Sequence, residues 1–80
     1  MNIGEAVRER IIELCRKRDI SVNKLSSMSG VTQSTANNIV SGRNNSTTVS
    51  TVKKLCDGLR ITIEAFFQSD LFRGLEQEIR

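Results

Sequence analysis

The sequence predicts an all-α protein, a compact bundle of five to six short helices, and three observations carry that prediction. Apolar residues recur every three or four positions in successive segments, the spacing of a helix with one buried face. No run of β-branched residues alternates with polar ones as a half-buried strand requires, and no tandem repeat is present. Proline is absent from the 80 residues, while serines, threonines and glycines fall where helices start and stop.

The first helix is predicted near residues 3 to 18, where Ile3, Val7, Ile11, Leu14 and Cys15 share a face. Its other face alternates Glu5, Glu9 and Glu13 with Arg8, Arg10 and Arg16. Pairs such as Glu5–Arg8 and Glu13–Arg16 are expected there, each worth about 0.2–0.5 kcal/mol and serving solubility rather than a site. The second helix follows Ser21, whose hydroxyl can cap free backbone N–H groups, and carries Val22, Leu25 and Met28 along one face. Gly30 ends it, because glycine adopts the positive φ of a helix stop without steric cost.

Thr32 can cap the third helix, in which Ala36, Ile39 and Val40 oppose Gln33, Ser34, Asn37 and Asn38, and Gly42 closes it. After the polar loop Arg43 to Thr47, Val49, Val52, Leu55, Cys56 and Leu59 define a fourth helix with Thr47 or Thr48 as its cap. Thr62 starts a shorter one, where Ile63 and the aromatic Phe66 and Phe67 supply bulk to the core. Beyond Ser69 and Asp70, a last amphipathic turn or two is expected to carry Leu71, Phe72, Leu75 and Ile79.

Length and charge narrow the function. Eighty residues make one small domain that buries roughly 60% of its unfolded surface and leaves little room for a deep catalytic cleft. The net charge is +3, but residues 1–60 hold ten Lys and Arg against five Asp and Glu, and the last twenty are net negative. Arg16, Lys17, Arg18, Lys24 and Arg43 can therefore face phosphates, although a generic soluble surface has the same composition.

Histidine is absent, and no phosphate-cradling glycine loop or carboxylate cluster occurs, so neither catalytic residues nor a metal, cofactor or small-molecule ligand is expected. Cys15 and Cys56 lie within apolar patterns and read as reduced core residues. No stretch approaches the ~20 apolar residues of a membrane span. The amino-terminal MNIGEAVRER lacks the apolar core of a signal peptide, so a cytoplasmic protein is expected.

Ser21 to Gly42 is the informative stretch, two short helices joined by a glycine turn, the second beginning with polar side chains. Amides and a hydroxyl on one helix face can donate and accept together, which is what base edges in a major groove require. An ordinary solvated helix face has the same residues, and on the residues alone both readings stand.

The run IxxLCRKRDISVNKLSSMSGVTQSTANNIVSGR, followed by TVSTVKKLCDGLRITIEAFF, resembles the XRE family, the Cro and phage-repressor type of helix-turn-helix protein, over about residues 5 to 67. The resemblance implies a lambda-repressor-like bundle with a central helix-turn-helix over residues 1–68, and residues 69–80 as a short helical extension of the same domain. It implies double-stranded DNA as partner, with the helix 32–41 in the major groove. Gln33, Ser34 and Asn38 match base-reading positions, and Asn37 reaches a base or a phosphate. Ser21, Asn23, Thr32, Thr35, Arg43 and Asn44 match phosphate-contacting positions.

The chain departs from the family pattern at several places. Valine at position 22 replaces a frequent glutamine, and Cys15 with Val40 stands where relatives carry an Arg–Glu ion pair. The usual proline after the reading helix is missing, and that loop is about one residue longer. The reading helix holds no Arg or Lys, which points to A·T-biased readout.

One such helix reads few base pairs, so the family habit of dimerising on two half-sites is expected. Leu71, Leu75 and Ile79 either cover the core or, as the second reading, form a homodimer interface. The implied function is a bacterial or phage transcriptional regulator, a repressor at a palindromic operator. The alternative is an antitoxin-like or other protein-interaction module whose helix-turn-helix serves autoregulation.

Overall fold

A computed structural model of the chain describes residues 1–79 and contains five α-helices: α1 (Ile3–Arg18), α2 (Val22–Ser29), α3 (Gln33–Val40), α4 (Val49–Leu59) and α5 (Ile63–Phe67). A single 3₁₀ turn, Asp70–Phe72, follows, and the described residues include no strand.

Each α-helix starts at a side chain that accepts from the backbone. Asn2 opens α1 with a reciprocal pair: its Oδ1 accepts from Glu5 N–H at 2.8 Å, and Glu5 Oε1 accepts from Asn2 N–H at 2.9 Å. Ser21, Thr32, Thr48 and Thr62 cap the four later helices through their hydroxyl oxygens. At the fourth helix Thr48, not Thr47, is the cap.

Stops are equally local. Asp19, Gly30 and Arg60 take left-handed conformations just after α1, α2 and α4. The cap of α3 is Ser41 in right-handed geometry, and Gly42, with φ of +83°, makes the turn one residue later.

The core joins Val7, Ile11, Leu14 and Cys15 of α1 to Leu25, Ile39, Val52, Leu55, Cys56, Leu59 and Phe66. Val22, Val31, Val40, Ile63 and Phe72 pack half-buried against it, whereas Met28 is 44% exposed rather than core. α2 and α4 meet closely: a Cβ built at Gly58 would lie 2.1 Å from Ser29 Oγ and 3.1 Å from Ser29 Cα. Among the described residues, Ser29 Oγ is buried there without a hydrogen-bond partner. Both thiols are buried and unpaired with each other, and burial raises the pKa of each above its ordinary value.

Val49 and Phe67, expected on buried faces, are instead exposed, and two larger expectations also need correction. Arg10 is not part of a solvated charged face; it is 8% exposed and donates from Nε to Phe66 O at 2.7 Å and from Nη2 to Ala65 O at 2.9 Å. Both carbonyls lie in the last turn of α5, where Ala65 O also accepts from Gln68 N–H at 3.3 Å, so the guanidinium caps α5 from across the molecule. Its Nη1 meets Glu13 Oε1 at 2.6 Å, which takes Glu13 from the expected Arg16 pair, while Glu5 is held in the α1 cap instead of pairing with Arg8.

The second correction concerns the carboxyl end. Only the Asp70–Phe72 turn is helical; Gly74 takes a positive φ, the chain continues without regular structure, and Ile79 is 79% exposed. Phe72 meets Phe67 edge-on with ring centroids 4.8 Å apart and lies 6.1 Å from Phe66, and Glu76 N–H bonds to Met1 O at 3.2 Å, so the segment is anchored by these contacts rather than by an amphipathic helix. Arg80, the last residue of the expected extension, lies outside the described residues.

Candidate nucleic-acid interface

The turn between α2 and α3 is built by Gly30, whose φ of +68° is open to glycine without strain and whose N–H, like that of Val31, bonds back to Ser26 O. Ser26 is buried and donates its hydroxyl to Asn23 O at 2.8 Å, which satisfies a polar group at the crossing of the two helices. The chain then enters α3 through Thr32, whose Oγ1 accepts from Thr35 N–H at 3.1 Å.

α3 buries Ala36 and Ile39 and turns Gln33, Ser34 and Asn37 to solvent; Asn38 is half-buried on the flank. Among the described residues, the side chains of these four polar residues make no hydrogen bond within the protein, so their donors and acceptors are free for another molecule.

Around that face lie the other predicted residues. Ser21 is exposed, and its oxygen accepts from Lys24 N–H at 3.0 Å, which leaves the hydroxyl proton free to donate outward. Asn23 is exposed on α2. Thr32 donates to Thr35 Oγ1 at 2.9 Å, so the outward donor of that pair is the Thr35 hydroxyl.

Arg43 is exposed just beyond Gly42. Asn44 is half-buried, with its N–H on Asn38 O and its Oδ1 on Ser46 N–H, and retains only its amide N–H groups for an outside acceptor. The structure thus gathers Gln33, Ser34, Asn37, Thr32 and Thr35 at the start and outer face of α3, with Ser21 and Asn23 at α2 and Arg43 and Asn44 in the following loop.

That loop rests on α1. A Cβ at Gly4 would come within 2.5 Å of Asn45 O, and one at Gly42 within 2.7 Å of Arg8 Nη1. The positions of the missing ion pair are apolar: Cys15 is in the core and Val40 is half-buried against it.

The order of a capped scanning helix, a left-handed glycine and a short helix with a free polar face is that of a DNA-reading helix-turn-helix. A profile of the Cro/C1-type HTH DNA-binding domain matches residues 10–68. The chain belongs to this family. The solved structure of the prophage Lp1 protein 11 is similar over most of the chain, with a TM-score of 0.80 at 30% identity, covering 94% of this chain and 100% of that one. No curated protein matches it. In this Cro/C1-type domain no described helix is long and apolar enough to cross a membrane.

Arg10 is the residue whose role sequence reasoning missed. The signal was present: Arg10 falls between Val7, Ile11 and Leu14 on the apolar stripe, where a charged residue is buried only with partners.

Proposed function

We propose that this Cro/C1-type domain is a sequence-specific transcriptional regulator, a repressor that excludes polymerase by occupying a palindromic operator in the cytoplasm of a bacterial or phage-bearing cell. The observation that carries the reading is the outer face of α3, where Gln33, Ser34 and Asn37 hold donors and acceptors that the protein itself leaves unused. Gln33 pairs bidentately with adenine, Asn38 or Asn37 with a second base, and Ser34 with either kind of edge. Ser21, Asn23, Thr32, Thr35, Arg43 and Asn44 hold phosphates on both sides and fix the helix in register.

Two copies bind two half-sites. Toward the carboxyl end, Phe67 and Ile79 are exposed apolar side chains that can serve their contact, whereas Leu71 and Leu75 are half-buried on their own chain.

Selection of duplexes from a random DNA pool near physiological salt tests the proposal. Enrichment of an inverted repeat, rich in A·T and with half-site centres roughly 34 Å apart, supports it. Salt-sensitive binding with no enriched sequence overturns it and leaves an electrostatic binder.

A further inference from the structure

We propose that Arg8, on the first helix and outside the helix-turn-helix, is a phosphate-contacting residue that works with Arg43 across Gly42; the inference rests on the DNA-binding reading above. Gly4 and Arg8 lie one turn apart on α1, and both abut the loop that leaves α3. Arg8 Nη1 occupies the space beside the Gly42 Cα, within 2.7 Å of where a Cβ would stand. Its guanidinium therefore sits one residue from Arg43 and two from Asn44.

The side chain is 28% exposed, and its nearest carboxylate, Glu9 Oε1, is 3.8 Å away, beyond hydrogen-bond length. Among the described residues no acceptor satisfies its N–H fork. A guanidinium restrained by packing, with donors still free at the surface, meets a phosphate with little further loss of side-chain freedom. Arg16, Lys17 and Arg18 are exposed at the far end of the same helix and have no such tie to the loop.

Gly42 is part of the device. Its φ of +83° suits glycine, and its missing side chain is what admits the guanidinium to the loop backbone.

The test is the salt dependence of binding to the selected duplex by the intact chain and by Arg8→Gln. Loss of one phosphate contact lowers the logarithmic salt slope by about 0.9, so the affinity deficit shrinks from about 15-fold at 50 mM to about 4-fold at 200 mM salt. Arg8→Lys retains the slope, and the thermal midpoint of both variants stays that of the parent.

An Arg8→Gln variant with unchanged slope overturns the proposal, whether its affinity is intact or its melting point has fallen. A change of base preference at constant slope also overturns it, because Arg8 then acts by positioning the loop. A parent chain without salt-dependent affinity for DNA removes the DNA-binding reading itself, and this proposal with it.

Discussion

Gln33 opens α3 with its carboxamide free, and Arg43 follows the helix with its guanidinium exposed, so truncating them removes different quantities. Gln33→Ala is expected to cost about 1–3 kcal/mol at one base position and nothing on random duplex. Arg43→Ala weakens all sequences alike and flattens the salt dependence. Titration of both variants against the selected site and its point variants separates the two roles; uniform weakening by Gln33→Ala rejects base reading there.

Arg10 makes a prediction of another kind. Arg10→Ala leaves two α5 carbonyls without their charged donor and is expected to destabilise the fold by about 3 kcal/mol, measured by urea unfolding. The contrast between these residues explains what the sequence disclosed. Ser21, Thr32 and Gln33 owe their positions to neighbours three or four residues away, which a pattern reveals. Arg10 owes its burial to residues 55 and 56 positions on, which local charge spacing misread as a solvated face.

At the scale of elements, the α2–α4 crossing is fixed by what two positions lack. Gly58→Ala places a methyl group 2.1 Å from Ser29 Oγ and 3.1 Å from Ser29 Cα, so the helices must separate. The loss is expected to be about 1–3 kcal/mol, although alanine in a helix normally gains up to about 1 kcal/mol over glycine. Ser29→Ala removes a buried hydroxyl that has no partner and is expected to hold or raise stability, and to relieve part of the Gly58→Ala cost. Thermal midpoints of the two single variants and the double variant give both numbers.

The five α-helices were legible because caps, stops and apolar spacing agree within each segment. The carboxyl segment was not, since Leu71, Phe72, Leu75 and Ile79 look periodic while Gly74 turns the backbone out of helix between them. The polar face of α3 was legible as a candidate, but the approach of Arg8 to Gly42 was not, because it joins residues far apart in the chain.

For the molecule as a whole, the buried thiols link stability to alkaline pH. Cys15 and Cys56 keep their protons to higher pH when folded than when unfolded. Their contribution is therefore complete below the unfolded thiol value, about 8.5, and is lost as pH rises toward the folded values. No tyrosine titrates in the same range. Urea midpoints are expected to fall as pH rises above the unfolded thiol value, and a Cys15→Ala, Cys56→Ala variant to lose that fall even though its cavities lower stability throughout.

The clasp between Arg10 and α5 also sets an order of events during synthesis. α2 and α3 leave the ribosome well before Phe66, and their mutual contacts lie close in sequence, so the helix-turn-helix can assemble while the chain is still growing. Arg10 has to wait, solvated, until the α5 carbonyls emerge, because its acceptors are 55 and 56 residues away. A released chain truncated before Ala65 is thus expected to hold α1 to α4 without their closing brace, and addition of α5 is the step that locks the domain.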